Sequence, residues 1–316
     1  MTVTVLAGGV GAARFLRGLM DVIAHDEIAA IVNTGDDTEL HGLSISPDLD
    51  TITYTLAAAI DPERGWGLAG ETWRAMEALR RYAAVRPEGS SAAPTWFNLG
   101  DQDLATHFYR TARLREGASP TEVTAEIARA WGLGLRLLPM TDDRFRTMVT
   151  LADSGDEIGF QDYFVRLRHD VAVRSIRFDH DGAVPTHAVV DALAADTVVI
   201  APSNPLVSIG PIRALPGVDD RLAARRDSVV AVSPIVGGAA LKGPADRMLS
   251  ELGSEPSVVG IARLYAPIAA TLVIDPADAH LADGVAAAGM RCIVTPSVMS
   301  SPGVAASLAQ ACLDAV

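Results

Sequence analysis

Lysine is almost missing from this chain. Lys242 is the only one, so nearly every cation is an arginine. Cysteine is scarce too, with Cys292 and Cys312 alone. Two cysteines exclude a disulfide framework and give no metal-ligand spacing, so both read as reduced, partly buried thiols. Positive charge as a whole is in deficit: 26 Lys and Arg face 39 Asp and Glu, for a net charge of −13. A general nucleic-acid or membrane-surface role wants a basic face, so neither partner is expected. A small anionic ligand stays open, held by backbone N–H groups, a few arginines, or a metal ion bridging to carboxylates. Arginine in place of lysine suits bidentate contact with phosphate. No apolar run is long enough to span a bilayer. The opening "MTVTVLAGGVG" has no basic segment ahead of its apolar part, unlike a secretory signal. The chain reads as soluble and cytoplasmic.

What is present is enough apolar material for a large core. The 316 residues are 49% hydrophobic with a mean hydropathy of +0.24, which fits one large domain or two small ones. "TVTVLAG" is a short buried strand broken by glycine. "GGVGAARFLRGLM" follows with Phe15, Leu16, Leu19 and Met20 at helical spacing. "IAAIVN" is a second strand ending at Asn33. Strand, glycine turn, helix and strand make a βαβ unit.

From Asp50 to about Arg81 the pattern is helical, with Asp48 or Asp50 capping a helix that begins at Thr51. "VRPEGSSAAP" (residues 85–94) is a loop. "DLATHFYRTARLREG" and "SPTEVTAEIARAWG" are further helices, the second opened by a capping box of Ser119 and Glu122 with Pro120 at its first position. "FRTMVTL", "EIGFQDYFV" and "VAVRSIRF" suggest hairpins. "DTVVIAP", "DSVVAVSP", "SVVGIARLY", "TLVIDP" and "MRCIVTP" then alternate with helical stretches in the rhythm of a parallel sheet. The expected fold is α/β: a Rossmann-like parallel-sheet core over residues 1–50 and 133–316, interrupted by a helix-rich insertion over residues 51–132.

Chemistry-bearing residues gather where strands end. "AGGVGAAR" lets the backbone approach a phosphate at a helix N-terminus through Gly8, Gly9 and Gly11. Arg14 stands where a dinucleotide fingerprint wants a third small residue, which argues against a nicotinamide oxidoreductase, as does Asn33 in place of an acid. "APSNPLVSIGPI" brings Ser203 and Asn204 to a strand end, and "AVSPIVGG" brings Ser233 and Pro234. Each could be turn chemistry alone; three together suggest a crevice. "VNTGDDTELHGLSISPDLDT" adds Asp36, Asp37, Glu39, Asp48 and Asp50 with no lysine or arginine among them. Such acids hold Mg²⁺ against a diphosphate, take a proton from an attacking hydroxyl, or shape turns and caps. As a group they repel one another without a cation. Glu39 and His41 read as a solvated linker between two acidic turns. In "NLGDQDLATH", Asp103 reads as a helix cap and His107 as structural.

Taken in order, "VLAGGVGAARFLRGL", "VNTGDD", "SPDLDTITYTL", "GWG", "LGDQDLATH", "LLPMTDD", "FQDYFV", "APSNPLVSIGPI" and "SPIVGG" resemble the 2-phospho-L-lactate transferase family of coenzyme F420 biosynthesis, over nearly the whole chain. The resemblance implies a Mg²⁺-dependent transferase, usually a homodimer. Its donor would be a guanosine diphospho-adduct of 2-phospholactate or phosphoenolpyruvate. Its acceptor would be the terminal ribityl hydroxyl of the deazaflavin Fo, with GMP leaving and F420-0 or dehydro-F420-0 formed. The composition and "GWG…ETW" look most like the actinobacterial branch, where the phosphoenolpyruvyl donor is expected. Carried over by position, Gly8, Gly9 and Gly11 would line the donor diphosphate, and Asn33, Ser203, Asn204 and Pro234 the guanosine nucleotide. Asp36 and Asp50 would be metal ligands or the acid pair near the hydroxyl, with Asp48 in reserve. Fo would lie near Asp50, Thr51, Tyr54, Asn98, Gly100 and His107. The family's "GDRD" reads "GDQD" here, so Gln102 replaces an arginine for which Arg110 could substitute. A related gluconeogenesis-factor type of regulator, which binds a nucleotide or nucleotide sugar, is the alternative. The full "SPDLDT…LGDQDLATH" set argues against it.

Overall fold

The first strand, β1 (Val3–Ala7), is buried along its whole length. Its residues alternate between two apolar faces, as a strand's period of two requires. In this computed structural model, which describes residues 1–88 and 90–316, β1 lies inside a seven-stranded parallel sheet. Gly89, within the stretch read as a loop, lies outside the described residues. The other strands are β2 (Ile28–Val32), β3 (Arg136–Pro139), β4 (Thr197–Ile200), β5 (Val229–Val232), β6 (Thr271–Ile274) and β7 (Arg291–Val294). Their order across the sheet is β7-β6-β5-β4-β1-β2-β3. Val5 pairs with Ala30 on one side and Val199 on the other. The order reverses between β1 and β4, and in a doubly wound sheet ligands bind outside the strand ends at such a switch point.

Helices cover both faces. Val3, Val5 and Ala7 pack with Phe15, Leu16 and Leu19 of α1 (Gly9–Met20), Ile52 and Leu56 of α2 (Pro47–Leu56), and Leu308 and Cys312 of the helix Val304–Leu313. Leu6 and Ile200 face Ile209 and Ile212 of the helix Ile209–Ala214 and Ile261 and Tyr265 of the helix Val258–Tyr265. Each fully buried aliphatic side chain contributes about 1.5–3 kcal/mol, so the sheet holds its strand ends rigidly. Between β2 and β3 run α2, α3 (Arg74–Ala83), α4 (Asp101–Arg115) and α5 (Pro120–Ala130). The α5 capping box forms as read, with Ser119 and Glu122 satisfying each other's backbone N–H groups.

Several local readings change. "SVVGIARLY" is a helix, not a strand: the Ser257 hydroxyl accepts the Gly260 N–H at 3.2 Å and starts it, and its side chains are apolar except for the exposed Arg263. The edge strand β3, within "LRLLPM", escaped the sequence pattern. "EIGFQDYFV" is strand only over Glu157–Gly159 and then winds into a π-helical turn, Asp162–Arg166. That strand joins Phe145–Leu151 and Val173–His180 in a separate antiparallel sheet. The linker around Glu39 and His41 is a hairpin, Thr38–Leu40 with Leu43–Ile45. His41 and Gly42 turn it with φ of 57° and 71°, the positive pair a two-residue hairpin loop uses. Finally, α2 begins at Pro47, so Asp48 and Asp50 lie inside its first turn.

Candidate active site

The ends of β1, β2 and β4 are tied together by side chains. Gly8 closes β1 and precedes α1. The Ser203 hydroxyl, beyond β4, donates to the Gly8 carbonyl at 2.8 Å. Gly11 lies so close to the Pro202 carbonyl that a Cβ there would sit 2.2 Å from its oxygen; only glycine permits this approach. Asn33, fully buried at the end of β2, accepts the Gly35 N–H at 2.8 Å. Its amide donates to Asp48 Oδ2 at 3.0 Å and to the Val207 carbonyl at 3.3 Å. Gly8, Gly9, Gly11, Asn33 and Ser203 therefore share one edge with Asp48. Asn204 is spent on its own turn, its Oδ1 accepting from Leu206 and Val207. Pro234 follows β5 at the same edge, where Ser233 Oγ accepts the Ile235 N–H.

Asp48 and Asp50 are two positions apart on α2, so they diverge by about 200°. Asp48 turns back to the glycine turn, where it accepts from Asn33 and lies against Gly8. Asp50 faces α4. Arg110 grips both its oxygens, donating to Oδ2 at 3.1 Å and to Oδ1 more closely. His107 Nδ1 lies 3.7 Å from Asp50, and its Nε2 is 3.2 Å from Asp103. The Tyr54 hydroxyl donates to Asp103 at 2.7 Å.

The remaining acids have no such partner. Among the described residues, no arginine or lysine forms an ion pair with Asp36, Asp37 or Asp48. Burial, then the Asp48 and Asp37 charges, push the Asp36 carboxyl well above the usual carboxylate range. Burial pushes Asp37 up to about 8, against the pull of the Ser46 hydroxyl at 2.7 Å and of Arg110 beyond it. Burial likewise takes Asp48 to about 6. One oxygen of Asp36 and one of Asp37 are buried without any hydrogen-bond partner. An all-oxygen set with orphaned carboxylate atoms fits a hard divalent cation. Among the described residues, the three acidic or histidine side chains whose ligand atoms all lie within 4.8 Å of one another are Asp50, Asp103 and His107, not Asp36, Asp37 and Asp48, but the Arg110 guanidinium already occupies Asp50.

The other expected positions scatter around the second cluster. Thr51 is half-buried, next to Asp50, and Asn98 is exposed ahead of α4. Gly100 is covered by Glu71, whose carboxylate would meet a Cβ at 1.7 Å. Gln102 is exposed on the first turn of α4, while Arg110 is buried two turns on and held by Asp50. A cavity of about 310 Å³ reaches Asp37, Ser46 and Arg110 between Leu49, Val123 and Phe145. A larger hollow of about 540 Å³, by Ile176, Phe178 and Arg213, includes none of Asp36, Asp37, Asp48 or Asp50. Of these four acids the smaller cavity is lined by Asp37 alone, with Arg110 beside it. Sequence reasoning passed over Arg110 as the partner of Asp50, although its spacing from Asp103 and His107 puts all three on one face of a helix.

Comparison with known proteins bears on the family and the fold. Residues 3–291 match the family model described as 2-phospho-L-lactate transferase CofD. The chain is 42% identical to a phosphoenolpyruvate transferase of Kitasatospora aureofaciens, covering 99% of this chain and 97% of that protein. It is 41% identical to one of Nocardia farcinica, over 99% and 94%. It is 40% identical to one of Mycobacterium tuberculosis, over 99% and 98%. Protein BH3568 of Bacillus halodurans has a solved structure that superposes with a TM-score of 0.64 at 15% identity, over 99% of both chains. A second solved structure of it, described as a member of the upf0052 family, gives 0.61 at 14% identity, over 99% and 98%. At that identity the likeness speaks to the fold alone. A match in order along nearly the whole chain, at two-fifths identity, makes this protein a transferase that belongs to the 2-phospho-L-lactate transferase family.

Proposed function

We propose that the protein transfers a phosphoenolpyruvyl group, or its 2-phospholactyl analogue, from a guanosine diphospho-adduct to the ribityl hydroxyl of Fo, releasing GMP and forming dehydro-F420-0 or F420-0. The observation that carries this reading is the trio Asp36, Asp37 and Asp48. Asp36 is buried and Asp37 and Asp48 are half-buried at the switch point, beside the Gly8 turn, with no arginine or lysine paired to them among the described residues. The names of the relatives favour the phosphoenolpyruvyl donor. Phosphoryl-type transfer needs positioning and charge neutralisation more than covalent help. The backbone at Gly8, Gly9 and Gly11 approaches the donor diphosphate, and Asn33 and Ser203 shape the nucleotide side. Asp36 and Asp48 are the residues to hold Mg²⁺, with Asp37 beside them. When bound, the ion would neutralise the diphosphate and the GMP that leaves. Asp50 was expected to share that seat. In the Arg110 grip it is better suited to orienting the acceptor side, with Thr51, Tyr54 and His107 nearby. A homodimer in the cytoplasm belongs to the same reading, and sedimentation at micromolar concentration tests the dimer.

Mass spectrometry of the product, after Fo is offered with each guanosine adduct in turn, is the decisive experiment. A phosphoenolpyruvyl product is lighter by two hydrogens than the phospholactyl one. No mass gain on Fo from either donor would sink the proposal. Titration of the intrinsic Fo fluorescence adds a binding measurement, since a nucleotide-binding regulator would show no saturable change.

A further inference from the structure

The motif "FQDYFV" has no role in the reaction as derived so far, yet it touches the acidic turn. After the strand Glu157–Gly159, the chain winds into the π-helical turn Asp162–Arg166, with Leu167 N–H donating to the Asp162 carbonyl at 2.9 Å. Arg168 and His169 then take φ of 53° and 45°. Wide turns of this kind are rare and concentrate at functional sites. Left-handed backbone in two successive non-glycine residues persists only where surrounding contacts hold it. Those contacts are present. Tyr163 is fully buried, and its hydroxyl accepts from Arg247 at 2.7 Å. Arg247 also donates to the His169 carbonyl. Phe160 stacks on Phe164 at 5.4 Å and shares an apolar cluster with Tyr163, Val149, Val207 and Met248.

This rigid turn presents Gln161. Its side chain is 8% exposed, and its Nε2 donates to the Asp36 carbonyl at 3.1 Å. From the same sheet, the Thr147 N–H donates to the Gly35 carbonyl at 2.7 Å. The antiparallel sheet and the turn that follows it thus peg successive peptides of the "NTGDD" turn. We propose that Gln161 is a positioning residue that fixes the Asp36 carboxylate at the sheet edge, an assignment that rests on the metal-holding role given to Asp36. The residue type follows from chemistry. A primary amide supplies a neutral donor to a turn already crowded with negative charge. Glutamate there would lose the donor and add to the repulsion, while leucine would leave a buried carbonyl unpaired. Partners that orient a ligating carboxylate change metal affinity or activity by about 10–100-fold when removed.

The test titrates Mn²⁺ alone, without substrates, into wild type, Gln161→Leu, Asp36→Asn and the double variant, with thermal midpoints alongside. Tyr163→Phe, which removes a hydroxyl from the brace but not Gln161, is the stability control. Expected are a loss of about 10–100-fold in Mn²⁺ affinity for Gln161→Leu, wild-type affinity for Tyr163→Phe despite a lower midpoint, and a double variant no weaker than Asp36→Asn. Wild-type affinity in Gln161→Leu, or losses that add in the double variant, would overturn the proposal. If Asp36→Asn binds Mn²⁺ like wild type, the metal role of Asp36 fails instead. The same four proteins are then compared by transfer turnover. A Gln161→Leu defect that persists undiminished in the Asp36→Asn background overturns the positioning role, and one that vanishes there upholds it.

Discussion

Two acidic clusters lie within one stretch of sequence and differ in what balances them. Around Asp50 the cation is built in: Arg110 holds both carboxylate oxygens, and His107, Asp103 and Tyr54 complete the network. Among the described residues no arginine or lysine forms an ion pair with Asp36, Asp37 or Asp48, and one oxygen each of Asp36 and Asp37 lacks a hydrogen-bond partner. The first arrangement supports the fold. The second is a cost to the fold that a bound cation would remove, and such a cost persists where it serves a ligand. The two clusters therefore respond oppositely when an acid is removed.

Asp50→Ala is the largest expected effect. It strands Arg110 in the interior, and breaking a buried pair costs about 3–5 kcal/mol. Urea unfolding would read this, with transfer activity lost as well. Unchanged stability would mean that the Arg110 pair carries no weight. Asp36→Asn should do the reverse. Transfer is expected to fall by more than the about 10–100-fold that follows loss of a partner of a metal ligand, while the metal-free protein becomes more stable. A drop in stability would place Asp36 in the supporting class.

A gentler probe is pH. Asp37 and Asp48 have folded-state values of about 8 and about 6, against the usual 3.8. The folded state then binds more protons than the unfolded chain between these limits, so their contribution to stability falls as pH rises through them. Between pH 6 and 8 the metal-free melting temperature should drop, and saturating Mg²⁺ should restore more of it at pH 8 than at pH 6. A flat profile would contradict the crowding of these acids. The smallest effect serves as a control. Ser119→Ala removes the α5 cap and should cost about 0.5–2 kcal/mol with turnover unchanged. Any loss of turnover there would tie α5 more closely to the site than its position suggests.

Much of this was legible beforehand for a local reason. Strand followed by glycine turn and helix, the Ser119 capping box and the polar strand ends at Asn33 and Ser203 are all written within a few residues. Where reading failed, the deciding contacts lay elsewhere in the chain. Residues 258–265 are apolar and β-branched enough to pass for a strand, and a cap and the burial of all but Arg263 and Leu264 make them a helix. β3 ends in proline, a residue that demotes a run to an edge strand or to no strand at all. The π-helical turn after Gly159 depends on Arg247, which is 84 residues from Tyr163.

The same division holds at the site. Sequence alone determined that acids, glycines and strand ends would meet at one edge of a parallel sheet, because turn chemistry and hydrophobic period are properties of neighbouring residues. It also determined which aspartates were available. Only the tertiary structure decided how they divide. Asp48 and Asp50 differ by two residues, and a helix sends such side chains to opposite sides. Which side meets Asn33 and the glycine turn, and which meets Arg110, depends on how α2 packs between α1 and α4.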